Sequence, residues 1–125
     1  MILDTNALSA WADGQPEIEP VLVSATKLVV PAVVLGEFEF GIRQSSHYRR
    51  YAVWLERSLR HAEIAVVDEE TAKLYGEIRL ALKKAGTPIP LNDAWIAAAA
   101  EQYQLPILSR DAHFDAVRSI ARVSW

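Results

Sequence analysis

Short unbroken apolar runs alternate along this chain with stretches whose apolar residues recur every three to four positions. The first run, Met1-Ile2-Leu3, ends in Asp4 and is followed at once by Thr5, Asn6 and a helical pattern. This predicts a buried strand whose last side chain is a carboxylate, with a helix starting directly behind it. Thr5 or Asn6 is expected to cap that helix, which runs to about Asp13 and stops at Gly14. A second short helix is expected from Pro16 to about Ala25, with Pro20 near its start. Leu28-Val29-Val30, closed by Pro31, predicts a buried parallel strand, and a helix follows from about Ala32 to Arg43. Ser45 or Ser46 is expected to cap the next helix, to about His61, and Ile64 to Val67 reads as another buried strand. Asp68-Glu69-Glu70 places acids at a helix N-terminus, where the macrodipole favours them. That helix carries Leu74, Ile78 and Leu82 on one face and ends with Lys83 and Lys84 before Gly86. Pro88-Ile89-Pro90 leads into a helix beginning at Leu91-Asn92-Asp93, which is apolar nearly all round and therefore central. Pro106-Ile107-Leu108 and Ala121-Arg122-Val123 read as the last two strands.

Apolar strands alternating with helices define an α/β class, a parallel sheet with helices on both faces and right-handed crossovers. The 125 residues make one domain, 1–125, with no internal repeat, linker or low-complexity segment. Hydrophobic residues make up 51% of the chain, which fits a packed core rather than disorder. The formal net charge of -3 gives no general attraction for nucleic acid, so such binding needs a local basic patch. With no cysteine, disulfides, thiolate catalysis and cysteine zinc sites are excluded, and a reducing cytosol is compatible. No apolar run approaches the roughly 18 residues of a membrane span. No basic segment precedes Met1-Ile2-Leu3, and Asp4 comes too early for a signal peptide, so a cytoplasmic protein with no membrane partner is expected.

In open α/β sheets, function sits outside the carboxyl ends of the strands. Four acids fall at comparable places. Asp4 ends the first strand, and Glu37 lies a turn and a half into the helix after the second. Asp93 is in the first turn of the central helix, and Asp111 follows Ile107-Leu108 after Ser109-Arg110. Each alone has a bland explanation: a helix cap for Asp4, a solvated helix position for Glu37, a dipole acid for Asp93, a turn residue for Asp111. If the strands are parallel, all four project to one end of the sheet. Clustered carboxylates repel and raise one another's pKa. A hard divalent cation, magnesium or manganese, relieves this with oxygen ligands, waters and substrate phosphate. Two such ions roughly 4 Å apart can activate water and stabilise the leaving oxygen in phosphodiester cleavage.

Asp4-Thr5-Asn6 after an apolar strand, Glu37-Phe38-Glu39-Phe40-Gly41-Ile42, Asn92-Asp93-Ala94-Trp95-Ile96-Ala97-Ala98 and Ser109-Arg110-Asp111-Ala112-His113-Phe114 together resemble the PIN domain. The resemblance is closest to the VapC-type ribonuclease toxins of toxin–antitoxin pairs, and it spans essentially the whole chain. It implies a three-layer α/β/α fold with a parallel sheet in the order 3-2-1-4-5. It further implies a Mg²⁺-dependent endoribonuclease (Mn²⁺ as a substitute) leaving 5′-phosphate and 3′-hydroxyl ends, a homodimer, and a cognate antitoxin. Catalytic residues carried over are Asp4, Glu37, Asp93 and Asp111, with Asp4, Asp93 and Asp111 as metal ligands. Thr5 or Asn6 and Ser109 are expected to orient Asp4 and Asp111 as hydrogen-bond donors. Glu39 points to another face and is not carried over. Asp115 is an optional extra acid that helix N-terminal placement explains equally well.

Arg43 to His61 carries five arginines against one glutamate, interleaved with Tyr48, Tyr51 and Trp54. The bland reading is an amphipathic helix packing Tyr51, Leu55 and Leu59. Arg43, Arg49 and Arg50 are the candidates for RNA phosphate contact. His47 and His61 read as surface residues, and His113 as a helix-surface residue that can approach the site. Trp11, Trp54, Trp95 and Trp125 read as packing residues. Trp11, Phe38 and Phe40 are candidates for lining an apolar groove that takes an amphipathic antitoxin segment. Gly36 to Gly41 has the glycine spacing of a phosphate loop but lacks its Lys-Ser/Thr, and the flanking pattern is helical. Three alternatives stand beside the ribonuclease: the same chemistry on single-stranded or structured DNA, a catalytically silent RNA-binding or scaffold module on the same fold, and a receiver-like regulatory module. The last needs an acidic pair in the first loop and a late lysine; Asp4 is solitary and no lysine follows Lys84.

Overall fold

A computed structural model describes residues 1–125. Five short parallel strands form one sheet: β1 (Ile2–Leu3), β2 (Val29–Pro31), β3 (Glu63–Ala65), β4 (Ile107–Leu108) and β5 (Arg122–Val123). They lie in the order β3-β2-β1-β4-β5, all neighbours parallel, as the family resemblance implied. Six helices cover the sheet: α1 (Thr5–Ala12), α2 (Glu19–Ser24), α3 (Ala32–Arg43), α4 (Tyr48–Ser58), α5 (Glu69–Ala85) and α6 (Leu91–Tyr103). The result is a three-layer α/β/α domain. Helices α1, α3 and α4 pack together, and α5 packs against α6. No helix is long and apolar enough to cross a membrane.

Local chemistry explains the boundaries. Gly14 and Gly86 take positive φ values of 66° and 71°, ending α1 and α5 where a side chain would be strained. Asp68 caps α5 by accepting from the Thr71 amide at 3.0 Å, and Thr71 Oγ1 accepts from the Asp68 amide at 3.1 Å. This reciprocal pair satisfies two donors that a helix start leaves open. Helix α3 spans the predicted residues.

Four boundaries differ from expectation. The cap of α1 is Asp4 itself, not Thr5 or Asn6, because both hydroxyl and amide are taken up elsewhere. Helix α2 begins at Glu19, three residues after Pro16. Neither Ser45 nor Ser46 caps α4: Ser45 Oγ accepts from the His47 amide at 3.0 Å, the helix starts at Tyr48, and its last predicted turn tightens into a 3-10 turn over Leu59–His61. The third strand ends at Ala65, and Val66 and Val67 are exposed (61% and 49%), because β3 is an edge strand that the sheet covers on one side only.

The core runs through the middle of the sheet. Ile2, Leu3, Val29, Val30, Ile107 and Leu108 are fully buried, as parallel strands covered on both faces require. In α6, Ile96, Ala97 and Ala98 are equally buried, so the small alanine side chains let this helix lie close against its neighbours. Trp95 stacks on Tyr75 of α5, with ring centroids 3.8 Å apart and planes at 13°. Because α6 sits so close, an added side chain there has nowhere to go. Ala98→Leu is expected to lower stability by about 1–3 kcal/mol through overpacking, read as a lower urea midpoint with an unchanged denaturant slope.

Candidate active site

Register delivers the first two polar groups. Leu3 pairs with Leu108 across β1 and β4, so the next residues, Asp4 and Ser109, lie side by side at the C-terminal edge of the sheet. Asp4 is 5% exposed and Ser109 fully buried. Ser109 Oγ donates to Asp4 Oδ2 at 2.6 Å, Asn6 Nδ2 donates to the same oxygen at 2.6 Å, and the Thr5 amide donates to Oδ1 at 2.7 Å. Asn6 Nδ2 also reaches Ser109 Oγ at 3.0 Å, and its Oδ1 accepts from the Arg110 amide at 3.2 Å. Ser109 Oγ in turn accepts from the Asp111 amide at 2.9 Å. One buried network thus fixes Asp4 and the backbone that carries Asp111.

Glu37 comes from the second turn of α3. Thr5 Oγ1 donates to its Oε2, and Asn92 Nδ2 donates to its Oε1 at 2.6 Å. Thr5 therefore orients Asp4 through its amide and Glu37 through its hydroxyl, while Asn6 and Ser109 do the work expected of them on Asp4. Asn92 escaped sequence reasoning, although it directly precedes Asp93. Its contact partner is 55 residues away, and nothing local signals the pairing.

Asp93 and Asp111 complete the set. Asp111 Oδ1 accepts from the His113 amide at 2.8 Å and faces His113 Nδ1 at 3.0 Å. The same imidazole nitrogen lies 3.4 Å from Asp93 Oδ2, a separation that lacks hydrogen-bond geometry, so this buried oxygen has no hydrogen-bond partner in the chain. His113 is therefore a neighbour of the acids and not merely a helix-surface residue: one nitrogen and two carboxylate oxygens lie within 4.8 Å of one another. The 3-10 turn over Ala112–Ala116 folds it back over Asp111.

Asp4, Glu37, Asp93 and Asp111 line one open cavity of about 680 Å³, joined by Asp13 from the end of α1. Burial pushes the Asp4 carboxyl above its ordinary range, and the charges of Glu37 and Asp111 add to this. Burial also raises Asp93, with further contributions from Asp4 and Asp111. An unpartnered buried oxygen among crowded carboxylates is a donor arrangement a hard divalent cation fits, and Asp93 and Asp111 are the carboxylates whose oxygens lie within 4.8 Å of one another. His113 offers a nitrogen beside them.

The remaining candidates separate. Asp115 forms a two-pronged ion pair with Arg122 at 2.8 Å on each oxygen, which holds its carboxyl below the ordinary range and away from the cavity. Arg43 pairs with Glu39 at 3.3 Å and lies over Tyr48, while Arg50 lies over Tyr51. Arg49 and Arg50 flank a separate surface pocket with His47 and Tyr48, so none of the three arginines lines the acidic cavity. Trp11 and Phe38 form an aromatic cluster with Trp54, with centroids 5.2 and 5.8 Å from it; Phe38 is buried but lines a surface pocket, Trp11 and Trp54 are half-buried, and Phe40 is 69% exposed. Trp54 and Trp95 are packing residues as expected, but Trp125 lines the acidic cavity.

A doubly wound sheet with carboxylates gathered at the carboxyl edge of its central strands defines the class: an α/β domain whose donor set suits a divalent cation. The sequence matches the PIN domain over residues 1–120. It is 27% identical over 124 residues to Ribonuclease VapC5 of Mycobacterium tuberculosis, covering 98% of this chain and 90% of that protein. Toxin FitB of Neisseria gonorrhoeae is 30% identical over 122 residues, with 89% and 87% covered. The crystal structure of VapBC-5 from Mycobacterium tuberculosis, described as a member of the VapBC family of toxin-antitoxin systems, superposes with a TM-score of 0.78 at 25% identity, covering 99% of this chain and 97% of that one. The chain belongs to the PIN domain family.

Two consequences are measurable. A carboxyl whose pKa is raised in the fold contributes stability at low pH and loses it as pH climbs through the raised value. Asp93→Asn should therefore match the metal-free wild type below about pH 4 and melt higher than it at pH 7, by about 3–6 °C for each kcal/mol of repulsion removed. Magnesium or manganese should raise the melting temperature of the wild type, by about 2.7 kcal/mol of stability at a hundred times Kd, and much less that of Asp93→Asn.

Proposed function

We propose that this chain is a divalent-cation-dependent endoribonuclease, the toxin of a toxin–antitoxin pair. The observation that carries the reading is the convergence of Asp4, Glu37, Asp93 and Asp111, from four different elements, on one cavity in which Asp93 Oδ2 has no partner. The relatives named as a ribonuclease and a toxin support the same reading.

Asp4, Asp93 and Asp111 would hold the cation, Mg²⁺ or Mn²⁺. When bound, it would offset charge on the phosphate and make water a better nucleophile. Ser109 and Asn6 fix the Asp4 carboxylate so that it needs no reorganisation as the reaction proceeds. Glu37 is tethered at both oxygens by Thr5 and Asn92 and keeps lone pairs for a water approaching the phosphorus. Water adds to phosphorus, the bond to the ribose 3′ oxygen breaks, and the ends are a 5′-phosphate and a 3′-hydroxyl. Both ends are those of hydrolysis, since the attacking oxygen stays on phosphorus.

A cognate antitoxin is the partner, consistent with the toxin–antitoxin description of the VapBC-5 structure. Homodimerisation is part of the same reading; Leu80 and Leu91, both about half exposed, offer apolar surface for it. The protein acts in the cytoplasm, where RNA is available.

Purified chain incubated with total RNA should give new 5′-phosphate ends with Mg²⁺ and none with EDTA, mapped by sequencing. Asp4→Asn should abolish cleavage while the fold is retained. Ser109→Ala should lower metal affinity or activity about 10–100-fold. Metal-dependent stabilisation without any cleavage would leave a silent RNA-binding module instead.

A further inference from the structure

Asp111 and His113 reach the other acids from a weak support. Both sit on the segment between β4 and β5, whose only regular structure is the 3-10 turn over Ala112–Ala116. A 3-10 turn has poor internal hydrogen bonds and seldom runs past a few residues. This one therefore needs anchors from outside. Phe114, 1% exposed, is the first, and it pins the turn in the core. A single buried ring sets the depth of the turn but leaves it free to swing over Asp93.

Arg122 supplies the second anchor. It stands on β5, opposite Ile107 of β4. Its Nε and Nη2 donate to the two oxygens of Asp115 at 2.8 Å each, and its Nη1 donates to the Ser109 carbonyl at 3.2 Å. One rigid plane thus grips both ends of the stretch 109–115, with Asp111 and His113 between them. Ser109 is itself fixed: its amide donates to the Val123 carbonyl at 2.9 Å, and its hydroxyl bridges Asp4 and the Asp111 amide. The Arg122 side chain is 21% exposed, so the fork is largely covered on the arginine side. Hydrogen bonds to Asp115 hold the guanidinium above its ordinary range, and the charge of Asp111 adds to this, although Arg122 does not line the cavity. Arg110, the cation that does line it, lies over the Trp125 ring at 4.5 Å and forms no ion pair with the acids.

We propose that Arg122 is a positioning residue for cation binding: its fork to Asp115 and its bond to the Ser109 carbonyl hold Asp111 and His113 against Asp93. This rests on the divalent-cation reading above and adds a residue that sets how tightly the cation is held. Exposed ion pairs contribute little to stability, and Asp115 is 55% exposed, so the consequence of this pair falls on the site rather than on the melting temperature. Ligands work only when held within about 0.5 Å of their productive positions, and the groups behind them set much of the affinity. Lysine does not replace arginine here. A planar fork meets the carboxylate and the carbonyl together, whereas an ammonium on a flexible stem is a single point of charge.

The test uses the full chain and Mn²⁺, whose free ion is counted by its electron paramagnetic resonance signal. Arg122→Lys keeps the net charge but loses the fork, and should weaken Mn²⁺ binding about 10–100-fold. Asp115→Asn breaks the same fork from the other side and should shift affinity in the same direction. Because both act on one interaction, the double variant should bind no more weakly than Arg122→Lys alone. The metal-free variants should melt close to the wild type. In RNA cleavage, the Mg²⁺ concentration for half-maximal rate should rise by the binding factor, while kcat at saturating Mg²⁺ and KM for RNA recover toward the wild type. Wild-type Mn²⁺ affinity in both folded single variants overturns the clamp and leaves the nuclease standing. A loss of Mn²⁺ binding that only tracks a loss of folded protein, followed by circular dichroism, overturns it as well. A wild type that binds Mn²⁺ but cleaves no RNA overturns the nuclease reading, and the Mn²⁺ titrations still decide the clamp. A wild type that binds no Mn²⁺ overturns both.

Discussion

The structure turns on holding like charges together at the edge of a buried sheet. Two carboxylates about 4 Å apart repel by on the order of 4 kcal/mol in a partly screened protein setting, and here four approach one cavity. Burial adds to the cost for Asp4 and Asp93, whose pKa values rise as a result. What keeps Asp4 in place is a set of short donors, Ser109, Asn6 and the Thr5 amide, all supplied by the two central strands and the helix start behind the first. Hydrogen bonds to an ionised group contribute more than neutral ones, about 1.5–3 kcal/mol each. They offset part of the repulsion, and a divalent cation would remove most of the rest.

Much of the remaining architecture serves that edge. β1 lies at the centre of the sheet, so the carboxylate that ends it is flanked by strands on both sides. The alanine face of α6 allows a close approach, which sets Asn92 against Glu37 and Asp93 into the cavity from a single turn. Glu37 depends on both α1 and α6 for its orientation, through Thr5 and Asn92. The site is therefore assembled by packing among three helices as well as by strand register. A change in how these helices sit against the sheet would loosen it without touching an acid.

Function follows from a contrast of charge across a short distance. The cavity interior is anionic and suits a small hard cation, whereas its rim carries one guanidinium over an indole and an exposed phenylalanine. Such a gradient favours a phosphate that arrives with its own counter-charge already seated. It disfavours phosphate alone, in keeping with the cation-dependent ribonuclease proposed above. The basic helix α4 stands apart from this cavity: Arg50 lies over Tyr51, and Arg49 and Arg50 face another pocket.

The apolar runs, the capping acids and the proline and glycine stops determined the strand and helix sequence, because each is a local property of a few neighbouring side chains. The position of Asp4 at a strand end and of Asp93 in a first helical turn was legible for the same reason, and the family resemblance carried Glu37 and Asp111 with them. The strand order also came with that resemblance; local patterning reaches only the class. Tertiary structure alone decided that His113 turns toward the acids while Asp115 is captured by Arg122, since both sit in one short turn and differ only in what packs opposite. It alone paired Asn92 with Glu37, gathered Trp11, Phe38 and Trp54 into one aromatic cluster, and set Trp125 beside Arg110 at the cavity. These outcomes depend on contacts between residues tens of positions apart, and periodicity along the chain carries no information about which of them will meet.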